Sequence, residues 1–415
     1  MFLIYRLFIN FIYLISPAII LYRIINKKED PKRFLEKLGR FSKKNKSNNL
    51  IWFHGSSVGE ILSIIPLIEK FEKKKKIKKI LITSNTLSSA KVLKKFKLRK
   101  TFHQFLPLDT KFLVNNFLDH WKPKAAIFIE SEIWPNMIYK IKEKNIPLIL
   151  LNARITKKSF IKWKKISYFS KNIFNKFDMC LSQNNETSRY LKILGSKKVK
   201  KIGNLKYSQS KFKLKNKFLH NPKKYFANKT ILFTAVSTHE GEEEFCAKVH
   251  ISLKKRFKNI ITVIIPRHIQ RSPDIKDNLS SLDLKVHLHT SKAKIKKNSD
   301  IYLVDTFGET NSFLKLSKIV FMGKSISSNG GQNPLEAARF GISIIHGPNV
   351  ENFEEVYSML NKLGISNQIN SHKELENKII NYNKKKNYSK QIIKKLNYTG
   401  NIILNNNERE VNKFL

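Results

Sequence analysis

Seven polar clusters along the chain carry the residues that could do chemistry. "HGSSVGE" covers His54–Glu60, "ESEIWPN" covers Glu130–Asn136, and "NARITKKS" covers Asn152–Ser159. "STHEGEEE" spans Ser237–Glu244, "PRHIQR" Pro266–Arg271, "DTFGE" Asp305–Glu309 and "GKSISSNGGQNPLE" Gly323–Glu336. Glu60 is a lone carboxylate closing its cluster. It can act as a general base, or it can close a capping box with Ser57, folding back on a helix start. The positive end of that helix favours the ionised form a base needs. Arg267 can clamp a phosphate with its planar fork, or sit in a surface or interdomain ion pair. In "NGGQNPLEAA", Gly330 and Gly331 let backbone N–H groups approach a ligand closely. Asn333 reads as an N-cap, Pro334 as the first helical residue and Glu336 as the third, which completes a second capping box. Such a helix start suits an anion; the alternative is a cap alone. Gly308 and Glu309 could meet a base or ribose edge. His54, His239 and His268 lack metal-ligand spacing, and no "GxxxxGK[ST]" or "GxGxxG" loop occurs. A phosphate is therefore expected at the Gly-Gly helix end and Arg267, with no metal.

The elements that must position these residues are strands of buried type. Leu50–Phe53, Ile80–Ser84, Ala125–Ile129 and Pro147–Leu151 recur in the first half. Ile231–Ala235, Ile260–Ile265, Ile301–Val304, Ile319–Met322 and Ile342–His346 follow in the second. Each apolar run leads into a turn and a helical pattern, which predicts parallel sheets with crossover helices. Ser208–Lys229, rich in Lys and Asn, reads as a linker between two doubly wound α/β domains. Clusters at strand ends in both halves predict a cleft between the domains, since open α/β sheets bind ligands beyond the carboxyl ends of their strands. Lys373–Leu415 is polar and helical in pattern and could pack back across the domains.

A chain of 415 residues suits two domains. Its 80 Lys+Arg against 31 Asp+Glu give a formal net charge of +49. That field favours nucleic acid, an anionic membrane or a phosphorylated substrate, although the lysines are spread out, as in "KKKKIKK", like solvated faces. Cys180 and Cys246 have no ligand spacing and read as small buried thiols in a reducing compartment. Phe2–Tyr22, "FLIYRLFINFIYLISPAIILY", is apolar except for Arg6, Asn10, Ser16 and Pro17. It is long enough to cross a hydrocarbon core of about 30 Å, with Arg6 snorkelling near its end. The alternative is a helix lying in the interface. The basic collar from Lys27 to Arg40 places the bulk of the protein on the cytoplasmic side and against anionic headgroups.

Together with "GNLKY" (Gly203–Tyr207), the ordered motifs "HGSSVGE", "ESEIWPN", "NARITKKS", "PRHIQR", "DTFGE" and "GGQNPLE" resemble the 3-deoxy-D-manno-octulosonic acid (Kdo) transferases of lipopolysaccharide biosynthesis. The resemblance covers the whole chain. It implies an α/β fold of two doubly wound Rossmann-like domains facing a central cleft (the GT-B glycosyltransferase type), with an N-terminal membrane-anchor helix. The implied layout is an anchor over 1–25, an acceptor-binding domain over 26–207, a linker over 208–229, a nucleotide-sugar-binding domain over 230–372 and a helical segment over 373–415. The implied reaction is transfer of Kdo from CMP-Kdo to the lipid A precursor lipid IVA, inverting at the anomeric carbon and using no cofactor. The implied setting is the cytoplasmic face of a bacterial inner membrane, with its anionic lipids as partners. By the same resemblance Glu60 is the general base, and Glu130 and Lys206 stabilise the transition state. A lysine can stabilise the donor's carboxylate or the departing phosphate; Glu130 either stabilises positive charge or orients Lys206. Pro266, Arg267, Phe307, Gly308, Glu309, Asn333, Pro334, Leu335 and Glu336 match CMP-binding positions. Gln332 stands where the family usually has His.

Two other readings compete. One is a GT-B enzyme using another nucleotide sugar. The other is a non-catalytic basic protein at a membrane surface. Nucleic acid is not an expected partner, because the aromatics lie in apolar runs and form no stacking platform interleaved with arginines.

Overall fold

The computed structural model describes residues 1–41, 49–208, 221–227, 229, 231–291, 293–382 and 389–415. Of the linker expected over 208–229, residues 209–220 and 228 lie outside the described residues. The chain divides into two compact units, Met1–Ser210 with Tyr398–Leu415, and Lys211–Asn397.

The first unit is built on seven strands: β1 (Leu50–His54), β2 (Lys79–Ser84), β3 (Thr101–Phe105), β4 (Ala125–Ile129), β5 (Leu148–Ala153), β6 (Met179–Ser182) and β7 (Val199–Lys201). Their order is β3-β2-β1-β4-β5-β6-β7, with every pairing parallel. The central strands are continuous apolar runs because helices cover both faces of the sheet. Alternation then sorts each strand's side chains between two cores. Trp52, Phe128 and Leu150 enter one, with Phe117 and Trp121. Phe53, Ile127 and Ile149 enter the other, with Phe71.

The second unit repeats the plan with β8 (Ile231–Thr238), β9 (Ile260–Pro266), β10 (Val286–Leu288), β11 (Ile301–Leu303), β12 (Ile319–Met322), β13 (Ser343–His346) and β14 (Ser366–Gln368). The order is β10-β11-β9-β8-β12-β13-β14, again parallel throughout. Phe233, Ala235, Phe321 and Ile345 form one core face, and Ile264, Ile301 and Leu303 another. The expected pair of doubly wound α/β units is therefore present. Both free cysteines, Cys180 and Cys246, are buried.

Helix α1 (Phe2–Ile25) is the one described helix long and apolar enough to cross a membrane. Leu3, Leu7, Phe11, Leu14 and Tyr22 are exposed on it, while Ile9, Ser16 and Ile20 are buried. Its N-terminal turns are tied to the first unit: Tyr5 donates to Asp109 at 2.6 Å, and Arg6 donates to Asn136 at 3.1 Å. Arg6, expected to snorkel, is thus engaged in docking the helix, and its guanidinium lies 4.2 Å from the Phe2 ring centre. At the other end of the chain, Ile403, Leu404 and Val411 join the core of the first unit. Lys70 and Lys74 hold Glu408 at 2.5 and 2.7 Å. Leu375 and Ile379, from the helix His372–Tyr382, pack into the second unit instead.

The strand orders fix where ligands can bind. In the first unit the chain runs outward from β1 through β2 to β3, then returns to β4 on the other side of β1. In the second it runs out from β8 and returns at β12. Each β1/β4 or β8/β12 boundary is a topological switch point, where diverging loops open a crevice at the carboxyl ends of the strands.

Candidate active site

Glu60 sits at the switch point of the first unit, in the opening turn of α2 (Val58–Glu72) after β1. Ser57 caps that helix and accepts from Glu60 N at 3.2 Å. In return the Glu60 carboxylate receives Ser56 N at 2.7 Å and the Ser57 hydroxyl at 2.7 Å. The capping interaction read from the sequence is formed, and it holds the carboxylate in one orientation. Burial pushes the Glu60 pKa up; the Ser57 hydrogen bond opposes this, the charges of Glu132 and Glu130 add to it, and the Ser56 N–H opposes it. The net direction is upward, opposite to the one expected from the helix end alone. Desolvation and neighbouring carboxylates outweigh the helix terminus.

Glu130 follows β4 directly, across the switch point. It is buried and adopts the left-handed region with φ of 58°. Its N–H donates to Leu151 O at 3.0 Å, and its own carbonyl receives Arg154 N at 3.3 Å. The Lys206 ammonium lies 2.7 Å from Glu130 Oε1. That oxygen lacks hydrogen-bond alignment with any partner, so the contact is an ion pair without a directed hydrogen bond. Lys206 is presented by a polar network. Asn204 accepts from Lys206 N at 2.9 Å and donates to Gln183, while Asn152 accepts from Leu205 N at 2.9 Å. Asn152, at φ 53° beside a register shift in β5, places that acceptor where the incoming loop needs it.

Sequence reasoning assigned no role to three residues that complete this corner. His54, fully buried at the end of β1, contacts Thr83 Oγ1 at 2.9 Å and Glu132 Oε2 at 2.9 Å. Trp134 donates to the same Glu132 oxygen at 2.9 Å. Trp52 also donates to Thr83 Oγ1 at 2.8 Å. Burial raises the Glu132 pKa, but the hydrogen bond and charge of His54 and the Trp134 bond outweigh it and hold the carboxyl below its usual range. The readable signal was a histidine ending an apolar strand, facing a second carboxylate in "ESEIWPN".

The switch point of the second unit is organised by Glu242, which also had no assigned role. Its carboxylate is fully buried and receives four backbone N–H groups: His239 at 2.9 Å, Lys324 at 2.6 Å, Ser325 at 2.8 Å and Ile326 at 3.0 Å. The loop after β12 therefore wraps a carboxylate of the protein itself. Gly323 starts this loop against β8; a Cβ there would stand 2.3 Å from Ser237 O, so no larger residue fits. Arg267, after β9, is exposed and makes no ion pair among the described residues. His239 and His268 lie ring to ring at 5.7 Å, and Gln332 Nε2 is 3.4 Å from His239 Nε2.

The glycine-rich stretch is not built as the sequence suggested. Gly330 N donates to Glu351 at 2.7 Å, and Gly331 N donates to Lys324 O at 2.9 Å, so both N–H groups are satisfied within the fold. The following helix begins at Leu335, not Pro334, and runs only to Arg339. Asn333 accepts from Leu335 N at 3.1 Å, but the box with Glu336 is not formed. Five helical residues carry only a small dipole. Crowding by protein raises the pKa of the Glu336 carboxyl, and the charges of Arg339 and Arg267 oppose that shift. Phe307 is 86 % exposed beside Gly308. Glu309 contacts the buried His289 at 2.9 Å and accepts from Thr306. Pro266 closes β9 and is buried, as are Pro334 and Leu335.

Two doubly wound α/β units, each with charged side chains gathered at its switch point, define a GT-B-type architecture. A family profile described as 3-deoxy-D-manno-octulosonic-acid transferase (kdotransferase) matches residues 32–209. A 3-deoxy-D-manno-octulosonic acid transferase of Rickettsia bellii is 33 % identical over 90 % of this chain and 89 % of its own length. A probable mitochondrial one of Arabidopsis thaliana is 32 % identical over 85 % of this chain and 81 % of its own. Among solved structures, the UDP-GlcNAc 2-epimerase of Neisseria meningitidis bound to UDP-GlcNAc superposes with a TM-score of 0.59 over 88 % of this chain and 99 % of that one. At 13 % identity that likeness shows a shared fold and no more. The chain belongs to the 3-deoxy-D-manno-octulosonic acid (Kdo) transferase family.

Proposed function

We propose that this transferase moves Kdo from CMP-Kdo to lipid IVA, with inversion at the anomeric carbon. Glu60 takes the proton of an acceptor sugar hydroxyl as that oxygen bonds to the anomeric carbon. The bond from that carbon to the phosphate oxygen breaks, and CMP departs with the electron pair. The observation that carries this reading is the Glu60 carboxylate held in one orientation at the first switch point, where burial and neighbouring carboxylates push its pKa up. A base with a raised pKa accepts a hydroxyl proton more readily than an ordinary glutamate. Lys206 offers positive charge to the donor's carboxylate or the departing phosphate. The 2.7 Å ion pair supports the orienting role for Glu130: it holds the ammonium in place.

CMP is assigned to the second unit. Pro266 and Arg267 take the phosphate end, Phe307, Gly308 and Glu309 the base and ribose, and Asn333, Pro334, Leu335 and Glu336 the remaining edge. The exposure of Phe307 and of the Arg267 side chain supports this, since both are open to a ligand. The exposed apolar residues of α1 and the basic collar behind it support a membrane anchor at the cytoplasmic face of the inner membrane, against anionic lipids. Purified full-length protein incubated with CMP-Kdo and lipid IVA in detergent should yield Kdo-modified lipid by mass spectrometry. No added Kdo would refute the assignment.

A further inference from the structure

We propose that Lys324 is a ligand for the phosphate of the nucleotide donor, acting with Arg267 on either side of the end of β8. This rests on the nucleotide-sugar reading above.

The position comes first. Lys324 is two residues past β12, at the switch point of the second unit. Arg267 is one residue past β9, on the other side of β8. The backbone comes second. Lys324 has φ of 57°, a conformation that is unfavourable for a residue with a Cβ. Glycine would take it freely. The strain is imposed from both sides: Lys324 N donates to the buried Glu242 at 2.6 Å, and Lys324 O receives Gly331 N at 2.9 Å. A lysine held in this conformation contributes nothing locally that glycine would not, except its ammonium.

The ammonium is the third observation. Lys324 is half-buried, yet its Nζ has no hydrogen bond or ion pair among the described residues. The buried Glu242 carboxylate, which accepts from the Lys324 backbone, has both oxygens taken by four backbone N–H groups. Nζ lies beside the Gly330 backbone: a Cβ built on Gly330 would stand 3.8 Å from it, an ordinary contact. A partly desolvated charge without a partner is unfavourable until an anion joins it. Nearby charges agree. Burial lowers the His239 pKa; Glu242 opposes this, while Lys324, His268 and Arg267 lower it further. Positive groups are therefore collected here in excess, as a phosphate site requires. A forked guanidinium and a point-charge ammonium are complementary ways to hold one phosphate.

The test is calorimetric titration of the full chain at fixed ionic strength with CMP, UMP and cytidine, for the wild type and for Lys324→Gly, Lys324→Arg and Arg267→Ala. Lys324→Gly removes the ammonium and relaxes the backbone, so it should melt no lower than wild type. It should bind CMP about tenfold more weakly, the loss of one charged hydrogen bond, and cytidine equally well. Lys324→Arg should restore most of the affinity. Undiminished CMP affinity in Lys324→Gly, with Arg267→Ala weakened, would overturn the Lys324 assignment and leave the donor reading intact. Parallel loss of cytidine binding would show a structural role and overturn it too. Binding of UMP but not CMP, with the same Lys324 dependence, would refute the cytidylate reading and support Lys324. No nucleotide binding to the wild type would overturn both.

Discussion

Glu60 is claimed both by a helix cap and by chemistry, and a pair of substitutions separates the two. Glu60→Gln keeps the side-chain shape, and its amide oxygen can still accept from Ser56 N, a bond of 2.7 Å in the wild type. Glutamine is a normal partner in a capping box, so the helix start should survive. The base does not survive. Loss of a general base costs about 10²–10⁴-fold in rate, or about 2.7–5.4 kcal/mol of barrier at 1.36 kcal/mol per tenfold. Ser57→Ala does the reverse. It removes the N-cap acceptor for Glu60 N, which costs about 1 kcal/mol of stability, and leaves the carboxylate in place. It also removes a hydrogen bond that lowers the Glu60 pKa. Turnover requires ionised Glu60, so kcat/KM falls as pH drops through that pKa. In the wild type this acid limb should lie above the ordinary glutamate range. In Ser57→Ala it should move higher still, with the plateau rate retained. The assay is Kdo transfer across a pH series, with CMP affinity measured alongside and unchanged in both variants. A Glu60→Gln enzyme within tenfold of wild type would refute the base. An acid limb that moves down in Ser57→Ala would refute the account of its pKa.

Lys206→Ala strands Glu130 as a buried carboxylate without its partner, so unfolding in urea should show a loss of about 3–5 kcal/mol, much of it recovered when Glu130→Gln is added. Equal stability of the single and double variants would contradict the pairing. Arg267→Ala should weaken CMP binding by about 1–3 kcal/mol and leave the melting temperature in place; unchanged affinity would remove Arg267 from the donor site. His103 is held down to about 3 by burial and by the charges of Arg33 and Lys94, against a usual value of 6.5. Its neutral form therefore contributes stability that is present above pH 6.5 and lost toward pH 3, at about 1.4 kcal/mol per pH unit. In His103→Gln the fall in unfolding free energy between pH 7 and pH 5 should be shallower; an identical slope would show that other groups dominate.

The central strands were legible because both faces of each sheet are covered, so "LIWF", "AAIFI" and "IITVII" read as unbroken apolar runs. The strands not foreseen were β3, β6, β7, β10 and β14. Four of these form a sheet edge, and "VKK" and "SNQ" are three residues each with little apolar content. Parallel pairing with an inner neighbour makes them strands, which no local pattern records. The candidate site divides in the same way. Ser57 and Glu60 are three residues apart, and their mutual bonds follow a local rule. The interactions that override local rules join distant segments: Glu242 with Lys324 to Ile326, Glu351 with Gly330, and Asn152 with Leu205. They depend on crossovers that bring strand ends together. The capping box at Asn333 and Glu336 failed for that reason, since contacts from Glu351 and Tyr357 set the backbone before the short helix begins.

The two switch points share one backbone device. Of the eight non-glycine residues with positive φ among the described residues, four stand at carboxyl ends of strands beside these points: Glu130 at 58°, Asn152 at 53°, Ser237 at 57° and Lys324 at 57°. Strain of this kind persists only where the surroundings over-determine it. In the first unit it accompanies carboxylates, and that runs against composition. A chain with 80 Lys+Arg and 31 Asp+Glu gathers Glu60, Glu130 and Glu132 at one place. The overall charge of +49 attracts anionic substrates, but the same field stabilises a carboxylate and makes it a poorer base. The charges of Glu132 and Glu130 act against that field and, after burial, help raise the Glu60 pKa. A strongly basic protein that must draw in anions and still abstract a proton needs such a local acidic cluster, and a helix cap alone would not.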